Sequence, residues 1–188
     1  MTKQITIKPI GIIHSPYREH ADIPIQGRFK PEAQGWVDLA EEYREGLQDL
    51  TGFSHAYLLY YFHESGFVTL TGEPFLEGQP HGIFAFRGPH RPNHIGISVV
   101  SVARIEACRL YFHNVDMVDG TPLLDIKPYV THFDCFPDAQ CGWVDKHFAE
   151  ERIPETTTKK RTSLGLKGCN RSSAPARERK TGYTPFLS

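Results

Sequence analysis

The sequence is poor in cysteine and has no long apolar run. Four cysteines in 188 residues, without dense spacing, exclude a disulfide-stapled scaffold and predict a reducing, cytoplasmic setting. No stretch reaches the ~20 apolar residues of a membrane span, so no membrane partner is expected. The start, Met1-Thr2-Lys3-Gln4, lacks the apolar core of a signal peptide. There is no Gly-x-Gly-x-x-Gly, no P-loop and no Gly-x-Ser-x-Gly elbow, which excludes the commonest nucleotide-binding and hydrolase readings. Internal repeats are also missing.

Charge is present but unevenly placed. From Glu151 onward nine Lys and Arg face three Glu, which leaves twelve Lys and Arg against nineteen Asp and Glu in the preceding segment. A basic extension on an acidic body suits a polyanion partner, or is simply a solvated tail. We therefore divide the chain into a folded domain, 1–150, and a basic, partly ordered C-terminal extension, 151–188.

The folded part reads as mainly β. Strands are expected over Ile5–Ile13, Trp36–Leu39, Gly82–Phe86, Ile95–Ile105, Arg109–Val115 and Leu123–Lys127, from β-branched residues and alternation. The aromatic, nearly continuous apolar run 55–64 is expected to be a buried strand. Apolar residues at Ala40, Tyr43, Leu47 and Leu50 predict one short helix ended by Gly52. With no alternating strand–helix units, the expected architecture is a single mainly β domain, a barrel or a strongly curved sheet, with one or two short helices.

Four constellations carry candidate chemistry. The segment FRGPHRPNHIGIS, 86–98, holds Arg87 and Arg91 beside prolines, with Asn93 and Gly96, between two apolar runs. Paired guanidinium groups on a rigid loop suit bidentate recognition of a carboxylate, a phosphate or a base edge, or else clamp the loop itself. In VDMVDGTPLLDIKPY, 115–129, Asp119-Gly120 is a turn signal. Asp116 and Asp125 sit among apolar residues and call for a partner such as Arg87, Arg91 or Lys127. His63-Glu64 ends the aromatic strand, where a sheet rim forms pockets. His132, Cys135, Cys141 and His147 have the ligand types of a zinc site, but without a Cys-x2-Cys knuckle no finger spacing is matched, and no metal is assigned.

GIFAFRGPHRPNHIGIS (82–98) resembles the F-A-T-R-x-x-x-R-P-N-P-I-G-x-S signature of the TsaA-like (TrmO, formerly YaeB) family. DMVDGTPLLDIKPY is similar to that family's second signature, IGIIHSPY to a third, and GFSHAYLLYYFHE to the segment between them. The resemblance spans roughly residues 5–137, in order. It implies a homodimeric, S-adenosylmethionine-dependent methyltransferase with a β-barrel-like fold. The implied substrate is N6 of threonylcarbamoyladenosine at position 37, in the anticodon loop of tRNA.

By motif, the resemblance places the cofactor site on Pro24, Ile25, Gln26, His63, Glu64, Arg87, Ile97, Asp119, Gly120, Thr121 and Pro122. Arg91 and Asn93, from the same loop, and Tyr17, with Phe62 and Phe86 as further stacking rings, are candidate substrate contacts. His63, Glu64 and Asp116 are candidate bases. Either arginine could hold the threonyl carboxylate of the substrate or the methionyl carboxylate of the cofactor. Phe86, His94 and Glu64 depart from the family pattern, which has Thr, Pro and Gln or Arg there. The longer second domain of the bacterial members is replaced by the basic extension. Two other classes stay open: a noncatalytic RNA-binding barrel and a His/Cys metal-dependent enzyme.

Overall fold

The computed structural model describes residues 4–149; the basic extension expected at 151–188 lies outside the described residues. Strands β1 (Gly11–His14), β2 (Gln34–Leu39), β3 (His55–Tyr61), β6 (Ile95–Glu106), β7 (Arg109–His113) and β8 (Thr121–Pro128) close into a barrel in the order β1-β2-β7-β6-β3-β8. Every pairing is antiparallel, from Ile13 against Val37 on one side of β1 to Ile13 against Thr121 on the other. A two-stranded ribbon, β4 (Thr71–Gly72) with β5 (His81–Gly82), stands apart within the β3–β6 connection. Two one-turn helices follow the barrel, α1 (Thr131–Asp134) and α2 (Asp145–Ala149). The mainly β, barrel-like expectation holds.

Alternation builds the interior. Val37 and Leu39, Ala56 and Leu58, Val100, Leu110 and Phe112, and Leu123 point inward and are at most 8% exposed, filling a barrel too narrow to hold a ligand. The register shifts at Leu59/Tyr60 and at Val102/Arg104, the kind of irregularity that lets strands bend into a small barrel.

Four expected elements differ. The first strand begins at Gly11, not Ile5, because Pro9 has no N–H to give a ladder. The helix over 40–53 is two 3-10 turns, Glu41–Leu47 and Leu50–Gly52, separated by Asp49 at φ 62°. Left-handed backbone at Asp49 stops an α-helix whatever the apolar spacing. The run at 55–64 is a strand only to Tyr61, and it is buried on one face alone. An antiparallel barrel strand turns its other face outward, here Tyr57, Leu59 and Tyr61. Finally, Gly82–Phe86 is a strand for two residues, His81–Gly82, and then a 3-10 turn, Ile83–Ala85.

Strand direction decides what the ends of the barrel carry. At one rim lie the connections 15–33, 62–94 and 114–120. At the other lie 40–54 and the two-residue hairpin Ala107-Cys108. Every candidate site residue falls on the first rim or within a few residues of it.

Candidate functional site

The centre of that rim is a polar network on inward positions that are otherwise apolar. Ser98 of β6, 3% exposed, donates its hydroxyl to Asp116 Oδ1 at 2.5 Å. Tyr60 of β3 lies 3.2 Å from the same hydroxyl. The Gly27 amide donates to Asp116 Oδ2 at 2.8 Å, joining the β1–β2 connection to the β7–β8 connection. Asp116 is half-buried, and burial pushes its carboxyl up to about 6, with the Ser98 and Gly27 bonds and the charge of Arg87 pulling the other way. Burial likewise holds the Tyr60 phenol protonated. The result is a carboxylate with two neutral donors and no ion-pair partner among the described residues. Asp125, by contrast, pairs with Lys127 at 2.8 Å.

Two more links converge on the same loop. Arg87 Nη1 donates to Gln26 Oε1 at 3.0 Å across sixty-one residues of sequence, and the rest of the exposed guanidinium has no protein acceptor among the described residues. His63 and Glu64 follow β3 directly. Glu64 Oε1 is 3.7 Å from His63 Nε2, and Oε2 is 2.9 Å from His20 Nε2. The extra negative charge of Glu64 is thus met by an imidazole of the β1–β2 connection. Pro24 is buried, while Ile25 and Gln26 keep partial access, as do Gly120 and Pro122. Ile97 faces outward at 43% exposure.

Other candidates are spent on structure. Arg91 Nη1 donates to the carbonyls of Ile83 (3.0 Å) and Phe86 (2.8 Å), so this arginine braces the loop. Tyr17 is 7% exposed and belongs to the core, so the expected stacking face is not available; Phe62 also packs against the core. Asp119 accepts from the Ser15 amide at 3.1 Å, pairs with Arg18 and approaches His14. The Gly120 amide bonds the Ile13 carbonyl and the Thr121 hydroxyl the Val118 carbonyl. The Asp-Gly-Thr-Pro turn therefore locks the rim as well as lining it. Asn93 is exposed.

The departures from the family pattern have local reasons. His94 has φ 48°, a conformation closed to proline, and its N–H donates to the Arg91 carbonyl at 3.0 Å. Phe86 is accommodated by two glycines: a Cβ at Gly88 would lie 2.6 Å from its ring, and one at Gly72 3.1 Å.

Sequence reasoning missed Gly27, Ser98, Tyr60 and His20. Ser98 had a signal, a hydroxyl on the inward face of Ile95–Val102 that needs a buried partner. Gly27 had none beyond its place in a Pro/Gly-rich loop.

Among the described residues no group of three or more His, Cys, Asp or Glu is arranged to hold a metal ion. Cys135 and Cys141 are exposed, and His147 is bonded to Glu77 instead. No described helix is long and apolar enough to cross a membrane. A concavity of about 780 Å³ at the opposite rim, with Glu41, Arg44, Glu45 and Ile105 in its lining, holds none of the candidate residues.

Comparison with known proteins fits this arrangement. A probable S-adenosyl-L-methionine-binding protein of Pyrococcus abyssi is 47% identical over 143 residues, covering 76% of this chain and 78% of the relative. The mouse tRNA (adenine(37)-N6)-methyltransferase is 33% identical over 134 residues, 68% of this chain but 31% of the mouse protein. The crystal structure of TrmO from Pseudomonas aeruginosa superposes with a TM-score of 0.65 at 38% identity, over 75% of this chain and 63% of that one. The chain thus spans under two thirds of the solved enzyme. The family model described as the tRNA-methyltransferase O N-terminal domain matches residues 12–135, a range that holds the whole barrel from Ile12 and its site rim, and the chain belongs to that family.

Proposed function

We propose that this rim binds S-adenosylmethionine and methylates N6 of threonylcarbamoyladenosine at position 37, in the anticodon loop of tRNA. One observation carries the reading: within the family's matched residues, Arg87, Gln26, Gly27 and Asp116, from three separate connections, are joined by hydrogen bonds at one end of the barrel.

The donor set fits the cofactor. Arg87 has unused N–H donors for a carboxylate, the Gln26 amide lies beside it, and the half-buried Asp116 supplies negative charge near a sulfonium. S-adenosylmethionine supplies the electrophilic methyl group. The chain's own part is to orient, to exclude water and to hold a proton. Arg87 binds the methionyl carboxylate, with Gln26 fixing its fork. Asp116 takes the N6 proton, since a carboxyl near 6 is ionised at neutral pH and still basic enough to accept it. His63 and Glu64 form a wall held by His20. A second copy of the chain closes the open rim. Phe67, Leu70, Phe75 and Phe84, all on the 62–94 connection and 58–76% exposed, are large apolar groups that suit such a contact.

Calorimetric titration with S-adenosylmethionine tests the reading. Saturable binding is expected, and Arg87→Ala weakens it ~10-fold, about 1.4 kcal/mol. The same sample sediments as a pair of 21.3 kDa chains. Absence of binding by the folded wild type contradicts the cofactor assignment, and a monomeric mass contradicts the pairing.

A further inference from the structure

Residues 142–149 lie beyond the family-matched range, yet they are tied to the connection that bears Arg87. Trp143 stacks on His81 with ring centroids 4.5 Å apart and planes 19° from parallel. Its indole N–H donates to the Ala85 carbonyl at 2.9 Å, two residues before Arg87. Glu77, its side chain 11% exposed, is gripped on both oxygens. His81 Nε2 lies 2.6 Å from Oε1, while Oε2 takes His147 Nε2 at 3.1 Å and an ion pair with Lys146. The edge of Trp143 meets the ring of His147, which is 6% exposed. A five-residue helix such as α2 does not form on its own, so these contacts are what hold it.

The stretch 83–86 needs such help. It is a 3-10 turn after a two-residue strand, and three of its carbonyls are bonded by side chains. Arg91 takes Ile83 and Phe86, and Trp143 takes Ala85. One brace comes from inside the connection; the other comes from the C-terminal segment. Arg87 follows immediately, and among the described residues its own side chain is held only by Gln26. A guanidinium on a loose backbone pays more ordering entropy on binding than one on a fixed backbone.

We propose that residues 142–149 act as a strap that fixes the Arg87-bearing stretch, with Trp143 and Glu77 as positioning residues for cofactor binding. The proposal rests on Arg87 being the carboxylate contact of S-adenosylmethionine. The strap acts through Arg87 and touches neither cofactor nor substrate.

The test uses the full chain carrying Trp143→Ala or Trp143→Phe, with and without Arg87→Ala. S-adenosylmethionine titration and amide hydrogen exchange over residues 81–91 are the readouts. Trp143→Ala is expected to speed exchange there about tenfold and to weaken binding about tenfold, but less than twofold when Arg87 is already Ala. Trp143→Phe keeps a ring and loses the N–H, so it falls between. Unchanged exchange in a folded Trp143→Ala chain overturns the strap, as does equal weakening in both backgrounds. If the wild type binds no S-adenosylmethionine, the cofactor assignment fails, and the exchange readout alone decides whether the strap holds the stretch.

Discussion

Asp116→Asn is expected to lower the turnover number for tRNA methylation by ~10²- to 10⁴-fold, the range for loss of a general base, while S-adenosylmethionine affinity, losing one negative charge near the sulfonium, falls by a much smaller factor. The substitution is close to isosteric. The Asn carbonyl can accept the Gly27 amide, and its NH₂ can donate to Ser98, whose hydroxyl then turns toward Tyr60. What is lost is the ability to take a proton. Wild-type turnover should rise with pH through about 6 and level off above it; in the Asn variant that limb disappears. Stability moves with the opposite sign. A carboxyl whose folded pKa is raised above its unfolded value of ~3.9 stabilises fully below that unfolded value, and the contribution is lost as pH rises through about 6. The thermal midpoint of Asp116→Asn should therefore gain on the wild type between pH 5 and pH 7. A variant that keeps its turnover while losing midpoint at pH 7 would make Asp116 a structural strut and nothing more.

Gly27→Ala should be the most damaging small substitution in the barrel. A Cβ there would sit 1.7 Å from the Asn114 carbonyl oxygen and 2.6 Å from its carbon. Both are backbone atoms of the connection that carries Asp116, so no side chain can swing aside. The 24–27 loop must move, breaking the Gly27 bond to Asp116 and shifting Gln26 away from Arg87. We expect a loss of ~3 kcal/mol or more in denaturant unfolding, at or above the upper end for overpacking. S-adenosylmethionine binding should fall at least as far as in Arg87→Ala. Wild-type stability in Gly27→Ala would contradict the packing of these two connections.

The long strands were legible because their alternation is strong: Ile95–Glu106 and Gln34–Leu39 read almost as they fold. Elements governed by single backbone positions were not. Asp49 at φ 62° splits a stretch with helical spacing into two 3-10 turns, and nothing in that spacing announces it. The aromatic run of β3 hid its one-sidedness because tyrosine serves both faces, buried at Tyr60 and exposed at Tyr61.

For the site, the motifs pointed to stretches that the fold brings to one rim, but not to the contacts their side chains make there. Two arginines four residues apart look equivalent in sequence, yet Arg91 Nη1 bonds two carbonyls of its own connection, while Arg87 Nη1 reaches across to Gln26 of another. Tyr17, a candidate stacking ring in the sequence, is 7% exposed and packs in the core. The Asp116–Ser98–Gly27 network joins residues 18 and 89 positions apart. It depends on barrel closure and on the inward phase of β6, which only the fold supplies.

The measurement closest to the central claim is transfer of a labelled methyl group from S-adenosylmethionine to tRNA carrying threonylcarbamoyladenosine at position 37, with the product nucleoside identified by mass spectrometry. The account predicts one added methyl on N6 of that nucleoside, no transfer to the same tRNA lacking the threonylcarbamoyl group, and loss of transfer in Asp116→Asn. A chain that binds S-adenosylmethionine but leaves that nucleoside unmethylated, or methylates a different position, contradicts it.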